Sequence, residues 1–347
     1  MSTPLLENIL NQAEALTAIA KYQCDQGRPA LERAAALLQA KKRIVLTGMG
    51  ASLFATIPFQ YALPEHGLQA AAVETGELLY FLESLIDPDT AVVLVSRSGE
   101  SVEVTKLLPR LHDRGATVIG IVNVPQSTLA SAADQAIVVN SPADQMVAIQ
   151  TYTGTVALFA LLDAAMHGEL DRARTEAMQT AAVFQSWIPS CVEASSRWRS
   201  FIDCAAPLYL LGRGSALGAV QEGVLLLHET AKSAAVGMSA AQFRHGPVEV
   251  VDERFHAVVF GTQAATRQLD RALLTDVARM GGHTRWIGPA DDNQSLMPWP
   301  DGISDRFIPV AEIIPIQVAA YRKAEWNGVR PGDFRWAPLV TTTEAGF

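Results

Sequence analysis

Lysine, cysteine and long apolar runs are what this chain of 347 residues has least of. No stretch approaches the roughly 18 consecutive apolar residues of a membrane span. Met1 and Ser2 lead into a polar, helix-prone segment without a basic n-region or an apolar h-region, so no secretory leader is expected. Cysteine occurs only as Cys24, Cys191 and Cys204. An odd number without metal-type spacing argues against a cysteine-ligated metal and suits a reducing cytosol. Positive charge is short as well: the net charge of −9 argues against nucleic acid or an anionic membrane surface as partner. These absences point to a soluble cytoplasmic protein, in which an anionic ligand is drawn by local rather than global attraction. What the chain has in quantity is apolar residue, 49% of the total, enough for a large core divided over two domains.

The stretch that organises the rest is Val95 to Ser101, VSRSGES. The run Val92, Val93, Leu94 and Val95 reads as a strand buried on both faces, and Val104, Leu107, Leu108 and Leu111 recur behind it at helical spacing. A strand, a tight polar turn and a helix start form an anion site, because the first helical N–H groups point outward unsatisfied. Ser96, Ser98 and Ser101 add three hydroxyls, and Gly99 lets the backbone approach a ligand closely. Hydroxyls and amides without a lysine suit a phosphate monoester better than a nucleoside triphosphate. An ordinary Ser/Gly-rich turn between strand and helix would have the same composition.

Residues 4–40 read as two helices. Residues 43–47 read as a strand entering the turn Gly48-Met49-Gly50-Ala51-Ser52, after which Pro58 bends the following helix or starts it late. Further strands are expected at 71–73, 117–122 and 137–140, and an apolar helix at 152–166. Strands alternating with helices predict an α/β fold with a parallel, doubly wound sheet. A strand at 208–211 then runs into Gly212-Arg213-Gly214-Ser215-Ala216, 164 residues after the first glycine turn. Near the same offset from the serine turn, the strand 256–260 leads into Gly261-Thr262-Gln263. Two copies of one βαβ unit explain both matches, with the phosphate loop kept only in the first. Leu53 and Leu217 stand where a dinucleotide fingerprint has its third glycine, so a nicotinamide cofactor is rejected.

After the second glycine turn, 220–232 reads as a helix carrying Glu222 and Glu229, seven residues apart and so on one face. A carboxylate on a helix that follows a binding turn is placed to act as general base or acid. His245, in Phe243-Arg244-His245-Gly246-Pro247, sits on a loop fixed by Gly-Pro. Either residue read alone is equally compatible with a solvated or salt-bridged position.

These motifs together resemble the tandem SIS (sugar isomerase) domain family, nearly end to end. The chain is similar to the isomerase half of glucosamine-6-phosphate synthase and to AgaS-type sugar isomerases and deaminases. VSRSGES resembles the family's S-x-S-G-x-[ST] phosphate loop, TGMGAS its first turn, LLGRGSALGAVQEGVLLLHE its acidic helix and FRHGP its x-x-H-G-P. The resemblance implies two tandem doubly wound, flavodoxin-like SIS domains with helices on both faces. The expected divisions are 1–168 for the first domain with its leading helices, 169–200 for connecting helices, 201–330 for the second domain and 331–347 for a tail. It implies that Ser96, Ser98 and Ser101 bind a sugar phosphate, with Arg97 among them and Gly50, Ala51 and Ser52 beside them. It implies Glu229 as the base that moves a proton between C1 and C2, and His245, from a neighbouring subunit of a homodimer, as the ring-opening acid/base. Neither cofactor nor metal is expected at the site.

The pattern departs from the family in its lysines. Leu339 falls where a synthase-like tail carries a Schiff-base lysine, Leu226 replaces the lysine one turn before Glu229, and Gln150 replaces the lysine of V-A-S-T-K. Arg97 replaces a glutamine between the phosphate serines, where it either adds a bidentate contact to substrate or is a solvated turn residue. No glutaminase-type segment with a cysteine after Met1 is seen, so glutamine is not expected to supply nitrogen. A substrate with its own amine needs no enzyme Schiff base. The reading is therefore a phosphosugar isomerase/deaminase acting on an amino-sugar phosphate such as glucosamine 6-phosphate. A deglycase of fructosamine 6-phosphate type and a non-catalytic phosphosugar sensor are the alternatives.

Overall fold

The computed structural model describes residues 3–289 and 294–344. Met1 and Ser2, 290–293 in the expected second domain and 345–347 in the expected tail lie outside the described residues. Contacts gather the chain into two compact units, one of 14–143, 150–178 and 334–347, the other of 1–13, 144–149 and 179–333. The units interleave along the chain, where the sequence reading expects 1–168, 169–200, 201–330 and 331–347 in succession. The cause is long-range burial. Helix Pro4–Leu10 buries Leu5 and Ile9, and just beyond it the Gln12 side chain donates to Gln317 Oε1 at 2.8 Å in the helix Ile314–Trp326. The tail is tied into the first-named unit instead, where Val102 N–H donates to the Thr341 carbonyl at 3.0 Å.

The first-named unit is built on a five-stranded parallel sheet: β1 (Arg43–Gly48), β2 (Gln69–Glu74), β3 (Thr90–Val95), β4 (Thr117–Val122) and β5 (Gln135–Val138), in the order β2-β1-β3-β4-β5. The expected α/β class and doubly wound order are what the structure shows. All six residues of β3 are buried, as a central strand covered by helices on both faces requires. Val92, Leu94, Val118 and Val122 pack with Leu107, Leu108 and Leu111 of the helix Val102–Asp113, and each fully buried side chain of this kind contributes about 1.5–3 kcal/mol. Two details differ from expectation. Residues 4–40 form three helices, Pro4–Leu10, Gln12–Cys24 and Arg28–Gln39, the last entered through Gly27 with proline in its first turn. β5 ends at Val138, two residues short of the expected 140, because Asn140 has left the extended region for φ +60°.

The other unit holds a four-stranded parallel sheet, β6 (Leu208–Gly212), β7 (Ala235–Ser239), β8 (His256–Phe260) and β9 (His283–Ile287), ordered β7-β6-β8-β9. It repeats the order of the first sheet without a fifth strand. Its core joins Leu211, Phe243, Phe255, Val259, Leu273, Val277 and Trp286. The strand order reverses between β1 and β3 in one sheet and between β6 and β8 in the other. Such switch points open a crevice beyond the carboxyl ends of the strands, which is where ligands of doubly wound sheets bind. Among the described residues no helix is long and apolar enough to cross a membrane.

Candidate functional site

In the five-stranded sheet the register aligns Gly48, the last residue of β1, with Val95, the last of β3. The first glycine turn and the serine loop therefore leave adjacent strands at one level, on the two sides of the switch point. Ser96 is 5% exposed, and its Oγ accepts from Gly99 N–H at 3.1 Å and lies 3.5 Å from Ser101 Oγ. Ser98 Oγ accepts from Glu100 N–H at 3.2 Å. Ser101 takes the N-cap position of the helix Val102–Asp113, yet its hydroxyl does not cap that helix. Gly99 has φ +69°, and a Cβ there would lie 2.2 Å from Ser127 Oγ; only glycine fits. Glu100 holds the loop from outside, its carboxylate accepting from Thr128 N–H at 2.6 Å and Thr128 Oγ1 at 2.8 Å. The loop is thus fixed before any ligand arrives, with hydroxyls and a helix start at the crevice.

The neighbouring turn is shaped the same way. Gly50, at φ 51° and ψ −127°, is the N-cap of the short helix Ala51–Phe54. At Gly48 a Cβ would meet Leu53 N and Ser52 C at 2.9 Å. Gly50, Ala51 and Ser52 are partly accessible, as are Arg97, Ser98 and Ser101. The structure therefore brings the expected phosphate-binding residues to two turns at one edge of one sheet. The tail reaches this region: Thr341 takes the first N–H of the helix after the serine loop, and the Glu344 carboxylate accepts from Tyr80 Oη and Lys106 Nζ.

Glu229 and His245 lie in the other unit. The helix Leu217–Ala231 follows the second glycine turn, and Gly223 seats it, since a Cβ there would lie 2.6 Å from Leu210 Cδ1 of β6. That seating buries Glu222 to 1% exposure, with no hydrogen-bond partner for its Oε2 among the described residues. Burial first, then the carboxylates of Glu229 and Asp144, hold the Glu222 carboxyl well above the usual carboxylate range. Glu229, one face and two turns along, is half-buried. His245 is exposed in the turn after the helix Ala240–Phe243, itself capped by Ser239 at the end of β7. Leu226 is 1% exposed and Gln150 3%. A lysine at either place would thus be taken out of water, whereas Leu339, at the tail position, is half exposed.

The crevice between β6 and β8 is closed by side chains of its own. Arg213, in the glycine turn, pairs with the fully buried Asp270 at 2.7 Å. Gln263 donates to Ser215 Oγ at 2.8 Å, and Thr266 donates to Asp270 at 3.0 Å. Thr262 donates to the buried Glu312 carboxyl at 2.6 Å, whose burial pushes it up to about 8. The sequence reading places Gln263 only in the turn after the strand 256–260, and nothing local in the sequence announces that it and Thr266 help close this crevice. Elsewhere in the five-stranded unit, His66, Asp163 and His167 form the one group of three metal-type side chains found among the described residues, a cluster the sequence reading did not contain.

Comparison with known proteins places this geometry. Residues 37–167 match the SIS domain family. The glutamine–fructose-6-phosphate aminotransferase (isomerizing) of Pyrobaculum aerophilum is 25% identical over 351 residues, covering 98% of this chain and 57% of that protein; the chain thus spans little over half the length of this relative. The solved C-terminal domain of the glucosamine-fructose-6-phosphate aminotransferase of Francisella tularensis superposes with a TM-score of 0.83 at 21% identity, covering 96% of this chain and 98% of that one. The glucosamine-6-phosphate deaminase of Thermotoga maritima superposes with a TM-score of 0.81 at 16% identity, covering 97% and 99%. At those identities the two structures establish the fold.

Proposed function

With residues 37–167 matching the SIS domain family, we propose that the chain is a phosphosugar isomerase/deaminase acting on an amino-sugar phosphate such as glucosamine 6-phosphate. The observation that carries the reading is the pre-fixed serine loop at the switch point of the five-stranded sheet. In this proposal Ser96, Ser98 and Ser101, with Ser52 and the turn at Gly50 and Ala51, hold the phosphate. Arg97 reads the substrate beside it.

Glu229 is the proton carrier. As a carboxylate it takes the proton from C2 of the open-chain aldose, giving an enolamine, and returns a proton to C1. The C2 imine so formed is hydrolysed by water, releasing ammonia and leaving the ketose phosphate. Such a positioned acid–base group supplies roughly 10²–10⁴-fold. Burial, which raises the Glu222 carboxyl, supports this role, because it disfavours a second negative charge on the helix face of Glu229. His245 handles the ring and carbonyl oxygens, reaching the site of a partner subunit in a homodimer. The substitution of lysine by Leu226, Gln150 and Leu339 favours deamination over synthesis, since the amine is already on the substrate.

The test measures ammonia release and hexose-phosphate conversion from glucosamine 6-phosphate with wild type, Glu229→Gln and His245→Ala. Turnover by wild type, a loss of about 10³-fold in Glu229→Gln with sugar-phosphate binding kept, and recovery of activity on mixing the two variants support the reading. Unchanged turnover in Glu229→Gln removes Glu229 from the mechanism. Clean binding without ammonia from wild type redirects the assay to fructosamine 6-phosphate, and silence there too favours a sensor.

A further inference from the structure

We propose that His66, Asp163 and His167 form a binding site for a divalent transition-metal ion of the zinc type, on the edge of the five-stranded sheet opposite the serine loop. One ligand atom from each of the three side chains lies within 4.8 Å of the other two. His66 Nε2 is 2.9 Å and His167 Nδ1 3.7 Å from Asp163 Oδ1, and the imidazole centroids are 4.1 Å apart. Ligands at 2.0–2.1 Å in a tetrahedral zinc site stand about 3.3 Å from one another. The two histidine–carboxylate separations are within about 0.4 Å of that, and the His167 ring gives up its 3.1 Å contact from Nδ1 to the Asp163 carbonyl to bring its nitrogen in. Two imidazoles and a carboxylate are the donor set of zinc and its neighbours rather than of calcium or magnesium, which take oxygen.

The backbone favours a cation at the same point. His66 ends the 3₁₀ turn Leu63–His66 and His167 directly follows the 17-residue helix Gln150–Met166. That helix carries no basic residue in its last turn, so the negative end of its dipole is met by no lysine or arginine of its own. The His66 side chain is 7% exposed and Asp163 18%, which shields the site, while His167 at 38% leaves an entry path and an open coordination position for water.

The location sets the role. His66 lies three residues before β2 begins, whereas the serine loop follows the end of β3. In a parallel sheet those are opposite edges, separated by six residues of strand, about 20 Å. The ion is therefore a staple between the 3₁₀ turn and the end of the long helix, not part of the phosphate site.

The test titrates chelator-stripped protein, its accessible thiols alkylated, with Zn²⁺ against a chromophoric chelator, and records the visible spectrum of the Co²⁺ form. One equivalent per chain, a tetrahedral Co²⁺ spectrum and a weakening of at least about 100-fold in His167→Ala, more than loss of a supporting outer partner gives, are expected. His167 is the most exposed ligand, and Asp163→Asn, checked for folding by circular dichroism, serves as second variant. Wild type that takes up no stoichiometric metal, or His167→Ala and Asp163→Asn that bind it as wild type does, overturns the proposal.

Discussion

The two sheets share strand order and turn placement but fill their switch points differently. Between β1 and β3 the loop residues bond among themselves and to the neighbouring loop, through Ser96–Gly99 and Glu100–Thr128, and present hydroxyls at the crevice. Between β6 and β8 the loop residues bond across the crevice itself, through Gln263–Ser215 and Arg213–Asp270. One copy keeps its polar groups ready for a ligand; the other has used them to satisfy its own interior. A fold supplies the crevice, and the side chains at the strand ends decide whether it is a site.

The sharpest way to break this contrast is to reopen the closed crevice. Asp270→Asn leaves Arg213 without its buried counter-charge, and loss of one partner of such a pair costs about 3–5 kcal/mol. A denaturation midpoint within error of wild type would mean the pair is ornamental. The next largest effect is expected from a matched pair of glycines. Gly99→Ala forces a Cβ to 2.2 Å from Ser127 Oγ at φ +69°, whereas Gly214→Ala, at φ +56°, meets nothing closer than Gln263 Oε1 at 3.3 Å. Both carry about 1 kcal/mol for the left-handed backbone, but only Gly99→Ala should lower sugar-phosphate affinity, by roughly 100-fold. Equal binding losses by calorimetry would erase the distinction between the two crevices.

Much of this was legible from sequence, for physical reasons. A strand buried on both faces has to be an apolar run, and a turn at a strand end that packs against its own helix needs glycine, so β3, β6 and both glycine turns declared themselves. The duplication showed because turn chemistry repeats even where side-chain chemistry has diverged. The interleaving of the units was not legible: Gln12 meets Gln317 across 305 residues, and no local pattern encodes that pairing. The plug was equally hidden, since Arg213 and Asp270 are 57 residues apart and each reads alone as a surface residue. Of the histidine–aspartate cluster only the i,i+4 spacing of Asp163 and His167 lay in the sequence, while His66 is 97 residues from Asp163. The sequence puts Glu222 and Glu229 on one face, but does not show the difference in burial that raises the Glu222 carboxyl.

Within the open crevice the expected change is smaller. Ser96→Ala removes one hydroxyl that would donate to a phosphate, and a hydrogen bond to a charged group is worth about 1.5–3 kcal/mol. Affinity for a sugar phosphate should fall about tenfold or somewhat more, while Ser215→Ala, in the plugged copy, should leave it unchanged. The comparison fails if the two serines have the same effect.

The smallest effect is a slope. Glu312, beneath Thr262 in the plugged copy, has its carboxyl raised by burial to about 8 from an ordinary 4.5. Between those values the folded chain holds a proton that the unfolded chain has released, so stability is greatest at the acid end of that window. It declines as pH rises, by about 1.4 kcal/mol per unit for this group, and levels off above the folded value. Glu222 adds a slope of the same sign, because burial and its carboxylate neighbours raise it too. Urea unfolding of wild type and Glu312→Gln between pH 5 and 8 should therefore give two descending lines, the variant's shallower by one proton. Parallel lines would show that Glu312 is already ionised in the folded chain, and that the second crevice is held by charge rather than by a neutral acid bonded to Thr262.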